Sequence, residues 1–568
     1  MASPQGEHHM NWNRLSGLLG AAAGLAAVGL AMTPSLVPRP ALFQGFLAGL
    51  SFSLAYLLAA WITRAVGVAV ARRRGRSFAD RLTWGTRGRV LAAVAALLYV
   101  AAIAVATIAW QNDVRAHVDM PPADGVNLAT FTVVAVVVGA IVFAARRGLS
   151  VIAARTRRMV RRRSNRPGLA KASGLLAGAL CAALALSLLV GGALLGTDRV
   201  YAARNATTPA GITEPASTFR SAGAASAVVW SQLGMQGRAF VGGGPTAAQI
   251  SAVTHQPAKE PVRVYVGSAQ EDSAESRAAL AVAELKRTGG FARGSLIIAT
   301  PTGSGWLERQ AMDSVEYLHG GDTAIVSLQY SYQPSWVSFL FHEDLPRESG
   351  QALYQAVHKE WLAMPAAARP KLYVYGLSLG AAGMQSAFKD AADLTGSVDG
   401  AVFSGAPNNS QPWRSLQAAR DAGSPVWQPV YDGGRHIRWL SKHGDFSRVP
   451  GPWEAGRVAY LQHGTDAVSW LTPTLIWQRP DWLGGSAAQG GRAPDVSDSM
   501  VWIPLVTYLQ VAFDMFMGEA VPADHGHNFG DVAVEAWNNV APSGLDQPAV
   551  DRIQAVIAAY PYEDAMTS

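Results

Sequence analysis

The chain has 568 residues, 49% hydrophobic and 15% charged, with a formal net charge of +7, and is long enough for more than one domain. A basic excess would mark a nucleic-acid binder if it were spread over a globular surface. Here residues 64–89 carry eight Arg against Asp80, residues 146–171 carry nine Arg and Lys171 with no acid, and the rest of the chain is at −10. Positive charge confined to two loops between apolar runs is a membrane-topology signal and excludes nucleic acid as its explanation. The single Cys, Cys181, lies inside an apolar run. An intrachain disulfide, a Cys-based zinc site and an exposed thiol nucleophile are therefore excluded.

Five apolar runs of about 20 residues are each long enough to cross a hydrocarbon core: 15–33, 42–62, 89–110, 127–145 and 173–196. The first follows Arg14 as a signal peptide would, but it lacks a small-x-small cleavage site, and a second apolar run follows directly after Thr33 to Pro40; it reads as a retained span. The Arg-rich loops after the second and fourth runs are expected in the cytoplasm. The loop 111–125, with Asp113, Asp119 and Asp124 against Arg115, is expected outside. Five spans starting inside would leave everything after residue 197 outside a plasma membrane. No ionisable residue sits near the middle of a span, which disfavours a transporter or channel. Gly17, Gly20 and Gly24, Gly45 and Gly49, and Gly174 and Gly178 would let the helices pack closely.

Residues 198–260 read as a Ser/Thr/Ala/Gly-rich connector, after which strand and helix patterns alternate. Strands are predicted at 262–266, 295–299, 323–328, 371–375, 400–403 and 457–461, with helices at 273–288, 308–318 and 348–363. The fold class that follows is an α-helical transmembrane bundle (1–197) and, over 261–568, an α/β-hydrolase domain: a mostly parallel sheet with helices on both faces and sites at the carboxyl ends of its strands. An aromatic-rich insert at about 413–502 holds eight of the 17 Trp. It reads equally as ordinary core or as a lid or acyl groove facing the bilayer.

The stretch Lys371-Leu-Tyr-Val-Tyr-Gly-Leu-Ser-Leu-Gly380 places G-x-S-x-G between a strand and a helix-like run of small residues. That is the pattern of a nucleophile elbow, which nominates Ser378. A serine hydroxyl needs a base and the base an orienting acid, in chain order Ser, acid, His. Asp466, in the loop after strand 457–461, is the preferred acid; it also suits an N-cap, and Asp432, Asp445 and Asp498 are less well placed. The preferred base is His527, with His525 as the alternative. A His-x-His pair can also start a metal site, but no carboxylate-rich motif accompanies it, so neither metal nor cofactor is expected. The oxyanion donors are expected to be the Leu379 N–H and an N–H from Gly303, Ser304 or Gly305, in the Gly-rich loop 300–306.

With these residues in view, the chain resembles a bacterial family of α/β hydrolases carrying an N-terminal multi-span membrane region. The matching stretches are Pro261 to Gly267, Thr300 to Trp306, Gln329-Tyr-Ser-Tyr332, Tyr460 to His463 and His525-Gly-His527. The resemblance implies the fold, membrane anchoring and a Ser-Asp-His site at Ser378, Asp466 and His527. The family usually has Glu and Gly where this chain has Leu377 and Asp524. The expected function is a membrane-anchored, extracytoplasmic serine hydrolase acting on a lipid or envelope ester. An acyltransferase with the same acyl-enzyme, or a non-catalytic scaffold that keeps the fold, are the alternatives. The expected partners are membrane lipids or a lipid-linked envelope substrate; protein partners are not legible.

Overall fold

The computed structural model describes residues 12–74, 86–123, 125, 127–164, 166–485 and 491–561. Asp80, the Arg residues of 75–85 and Asp124 lie outside the described residues. The chain forms two compact units, one made of residues up to Ala193 with Ser497–Phe513, the other of Leu194–Val496 with the chain from Asp514 onward.

The first unit is built on helices α1 (Trp12–Ala31), α2 (Ala41–Arg74), α3 (Thr86–His117), α4 (Leu128–Arg163) and α5 (Pro167–Asn205), the last of which runs on into the second unit. Four stretches are long and apolar enough to cross a membrane: Ala41–Ala69, Val90–His117, Leu128–Arg163 and Pro167–Asn205. The apolar part of α1, Leu15–Ala31, is shorter. Leu97, Leu98, Leu188 and Leu189 are among many exposed apolar side chains, a surface suited to hydrocarbon rather than water. A Cβ on Gly45 or Gly49 of α2 would meet the carbonyl oxygens of Phe131 and Ala135 on α4 at 2.5 Å each, so backbone approaches backbone there. The returning segment Ser497–Phe513 is held in this unit. Gln510 Nε2 donates to the carbonyl oxygens of Ala31 (3.3 Å) and Thr33 (2.9 Å), and Phe513 packs on Phe43 and Phe46.

In the second unit, α6 (Gly234–Gly242) and α7 (Ala247–Thr254) precede β1 (Val262–Val266), α8 (Ala274–Arg287), β2 (Ser295–Thr300), α9 (Arg309–Leu318) and β3 (Thr323–Leu328). Two helices, α10 (Ser335–Phe341) and α11 (Asp344–Ala363), lead to β4 (Lys371–Leu377), α12 (Leu379–Gln385), α13 (Ala391–Ser397) and β5 (Gly400–Ser404). Next come α14 (Trp413–Ala418), β6 (Ile437–Leu440), β7 (Arg457–Leu461), α15 (Ala467–Trp470), then α16 (Val506–Asp514), which lies almost wholly in the segment belonging to the first unit, and finally α17 (Val532–Val540) and α18 (Gln547–Ala558). The seven strands form one sheet in the order β1-β3-β2-β4-β5-β7-β6, every pair parallel. Helices α8, α11 and α12 pack together on one face, and α9, α17 and α18 on the other. Every residue of β1, β2, β3 and β5 is buried, which is why these strands read as apolar runs rather than as clean alternation. The chain leaves β2 towards β3 and leaves β4 in the opposite direction, so the loops after β2 and β4 diverge and leave a crevice at the carboxyl ends.

The six strands expected from the pattern are all present. The seventh, β6, was not anticipated. It is four residues long and interrupted by Arg438, whose guanidinium donates to the carbonyl oxygens of Gly434, Gly451 and Pro452, so it has no apolar signature of its own. Most of the Trp-rich stretch around it is core: Trp413, Trp427, Trp439, Trp453, Trp470 and Trp482 are buried, and Trp477 is exposed.

A buried charge network locks β1 to α9. Arg263 donates to Glu316 through Nε (2.8 Å) and Nη2 (2.6 Å), to Asp313 (2.5 Å) and to the carbonyl oxygen of Phe240 (3.0 Å). Removing one partner leaves charge stranded in the interior. Glu316→Ala is expected to destabilise the folded chain by about 3–5 kcal/mol, read as a lowered midpoint of thermal or urea unfolding in detergent; a midpoint like that of the wild type would show that the network contributes nothing net.

Candidate active site

At the end of β4 the chain turns with Ser378 at φ +56°, ψ −125°, a left-handed backbone costly for any residue but glycine. The glycines on either side make the turn possible. A Cβ on Gly376 would collide with the backbone of Gly380 and Ala381, and a Cβ on Gly380 with the carbonyl oxygens of Thr300 and Pro301. The Ser378 N–H is tied to the Ser404 carbonyl at 2.9 Å, and α12 starts at once with Leu379. Strain at the serine is thus held in place by backbone contacts on both sides.

Asp466 lies in the loop after β7 and is fully buried. Its two oxygens do separate work. Oδ1 accepts the Val468 N–H at 2.9 Å and caps α15, while Oδ2 receives His527 Nδ1 at 2.8 Å. One carboxylate therefore both caps the helix and holds the imidazole. His527 Nε2 is buried and makes no hydrogen bond. Burial would depress the His527 imidazole, but the charge and hydrogen bond of Asp466 outweigh it and hold it above its ordinary value. The supporting loops are knitted together. Asp495 accepts the N–H and hydroxyl of Thr465 (3.0 and 2.6 Å), and Thr465 Oγ1 accepts the Gly526 N–H (2.9 Å).

Ser378, His527, Leu379, Ser335, Trp336, Phe339, Val468, Met515, Phe516 and Glu519 line one cavity, which encloses about 580 Å³ of empty space including its mouth. Its walls are mainly apolar. A serine at a strained elbow, facing the same space as the free nitrogen of a carboxylate-held imidazole, is an arrangement that can perform acyl transfer. A family profile described as "Alpha/beta-hydrolase family" matches residues 262–553, just over half of the chain, and one described as "Alpha/beta-hydrolase family N-terminus" matches residues 32–245. The chain belongs to the alpha/beta-hydrolase family. No curated protein and no solved structure matches it.

Within this hydrolase fold the other nominated residues fall differently. His525 is buried and is not part of the cavity wall. Gly303, Ser304 and Gly305 do not line the cavity either. The Gly303 N–H goes to Ser335 Oγ (3.2 Å) and the Gly305 N–H to the Thr302 carbonyl (3.0 Å). Ser304 instead faces a separate small pocket with Tyr201, Arg204 and Tyr332. Of the other acids considered, Asp445 is spent on the N–H groups of Ser441 and Lys442. Among the described residues no group of three or more His, Cys, Asp or Glu is arranged to hold a metal.

Two positions that the resemblance singled out have a visible setting. Asp524 has φ +68°, a conformation that glycine adopts freely and aspartate tolerates. Leu377 is buried at the end of β4.

Several functional features were not legible from local pattern. Gly405, after β5, has φ +53°, and a Cβ there would strike the His527 ring and come within 3.0 Å of Asp466 Oδ2; its signal was a glycine directly after a strand. Glu308, at the end of the loop after β2, is buried and accepts the Tyr375 hydroxyl at 2.7 Å. Burial pushes its carboxyl up to about 7, against the opposing effects of Tyr375 and His527. The cavity-wall residues of α10 and of 515–519 come from stretches far apart in sequence and carry no motif.

The elbow gives a sharp steric test. Gly380→Ala is expected to cost about 1–3 kcal/mol or more from overpacking and to abolish reaction of Ser378 with a fluorophosphonate. Gly396→Ala, where a Cβ meets nothing within 4 Å, should change neither the unfolding midpoint nor labelling.

Proposed function

We propose that this protein is a membrane-anchored serine hydrolase that cleaves a lipid or envelope ester through an acyl-enzyme on Ser378. The observation that carries the reading is the Asp466–His527 pair at 2.8 Å, whose unpartnered Nε2 and Ser378 border one apolar cavity. In the first step Ser378 Oγ attacks the ester carbonyl and its proton passes to His527 Nε2. Asp466 keeps the Nδ1–H tautomer and stabilises the imidazolium. The C–O bond then breaks, His527 returns the proton to the leaving alkoxide, and water repeats the sequence to free the acid.

The oxyanion has two donors in this reading. One is the Leu379 N–H at the start of α12, where the helix dipole also favours negative charge. The other is the Ser335 hydroxyl: its oxygen accepts the Gly303 N–H, which leaves its own proton to donate into the cavity. The Gly-rich loop thus acts through Ser335 rather than directly. Orientation follows from charge. If α1 counts as a fifth span, although its apolar part Leu15–Ala31 is shorter than the other four, Arg-rich loops in the cytoplasm would leave the second unit outside a plasma membrane.

Detergent-solubilised protein should label with a fluorophosphonate probe, and Ser378→Ala and His527→Ala should each abolish labelling. Because the base must be neutral and its pKa is raised, the labelling rate should climb with pH through a midpoint above about 6.5. Folded wild-type protein that does not label, or a His527→Ala variant that labels normally, would defeat the reading. Ser335→Ala is expected to lower kcat on a soluble ester by roughly 10²–10³-fold with KM little changed; a fall in KM-dependent binding alone would remove Ser335 from the oxyanion site.

A further inference from the structure

The loop after β3 is bonded to the end of α5 that lies within the second unit. Tyr332 Oη and Gln333 Nε2 both donate to Asp198 Oδ1 at 2.9 Å, and Gln329 Nε2 donates to Asn205 Oδ1 at 3.1 Å. Asp198 stands on α5 only two residues beyond the apolar run 173–196, where an apolar helix meets the headgroup region. Residues bonded to Asp198 therefore share that level. After Pro334 the chain enters α10, seven residues and about 10 Å long.

Helix α10, Ser335-Trp-Val-Ser-Phe-Leu-Phe341, has no charged residue. Trp336 and Phe339 line the cavity that holds Ser378, and Trp336 meets Phe516 edge-on at 5.9 Å across it. Val337 and Ser338 are buried. Leu340 and Phe341 point away from both, 59% and 47% exposed. Exposed apolar side chains scattered singly need no explanation. These two are the only consecutive pair of exposed large hydrophobics among the described residues of Leu194–Val496, and they sit on the helix that walls the cavity.

We infer that α10 is an interfacial lip: Leu340 and Phe341 insert into the surface of the bilayer that α5 crosses, and the substrate is an acyl ester resident in that bilayer, entering the cavity along Trp336 and Phe339. The occupant of the exposed face is the membrane itself. A soluble ester reaches Ser378 without help from Leu340 and Phe341, whereas an ester held in lipid does not. This deepens the hydrolase reading and rests on it for the chemistry, but the contact of α10 with lipid stands apart from it.

The experiment uses the full chain in proteoliposomes, in a Cys181→Ala background. A nitrobenzoxadiazole fluorophore on Phe341→Cys should be quenched by lipids carrying a doxyl group near the headgroup, as one on Leu188→Cys is quenched by deeper doxyl lipids, while one on Asp551→Cys of α18 should not respond. An unquenched probe at 341 alongside a quenched one at 188 overturns the inference, whatever the activity. For the substrate, the double variant Leu340→Ser with Phe341→Ser should retain turnover of a soluble short-chain ester and lose roughly tenfold or more on a vesicle-embedded ester. Equal loss on both, or no loss on either, also overturns it. Absence of Ser378 labelling in every preparation would instead defeat the hydrolase reading, with the quenching result still deciding where α10 sits.

Discussion

Bare backbone pressed on bare backbone at residues 376–380 is the constraint on which the carboxyl end of the sheet depends. Neither Gly376 nor Gly380 has room for a Cβ, because the elbow folds against itself on one side and against Thr300 and Pro301 on the other. That closeness holds Ser378 in a left-handed conformation it would not adopt alone. It also brings the loop after β2 beside the serine, where the strand order leaves a crevice. The placement of Ser335, held by the Gly303 N–H, follows from the same approach.

Around this rigid turn the electrostatics are layered rather than isolated. Asp466 divides its oxygens between a helix end and His527, so its position is fixed by backbone before the imidazole arrives. Glu308, whose carboxyl burial pushes up to about 7, also feels the His527 charge. Gly405 supplies the empty space into which the imidazole fits.

The sequence made the repeating parts of the fold legible. Six of seven strands, the elbow and its neighbouring helix follow from period, glycine placement and chain order, all local properties. The order Ser378, Asp466, His527 also nominated a pair that the fold sets 2.8 Å apart. What local pattern could not supply was anything made by distant segments meeting. Trp336, Phe339 and Phe516 share a cavity although Phe339 and Phe516 are separated by most of the sheet. Ser304 resembled a cavity residue because it lies in a Gly-rich loop after a strand, yet the loop turns it to another pocket. Composition left the Trp-rich stretch open between core and lid, and burial shows that most of it fills core around β6. Arg438 hid that strand by interrupting its apolar run, its charge satisfied by carbonyl groups that no pattern reveals.

The segment Ser497–Phe513 belongs to the first unit although it is encoded deep within the second. The chain therefore passes between the units three times, after Ala193, after Val496 and after Phe513. Neither unit is therefore one continuous stretch of chain, and no single cut separates the two. About seven-eighths of the chain precedes Ser497, so during synthesis the stretch that completes the first unit emerges late, and His527 emerges only after it. The helical unit and the α/β unit are thus encoded as interleaved stretches of one chain rather than as two separable segments.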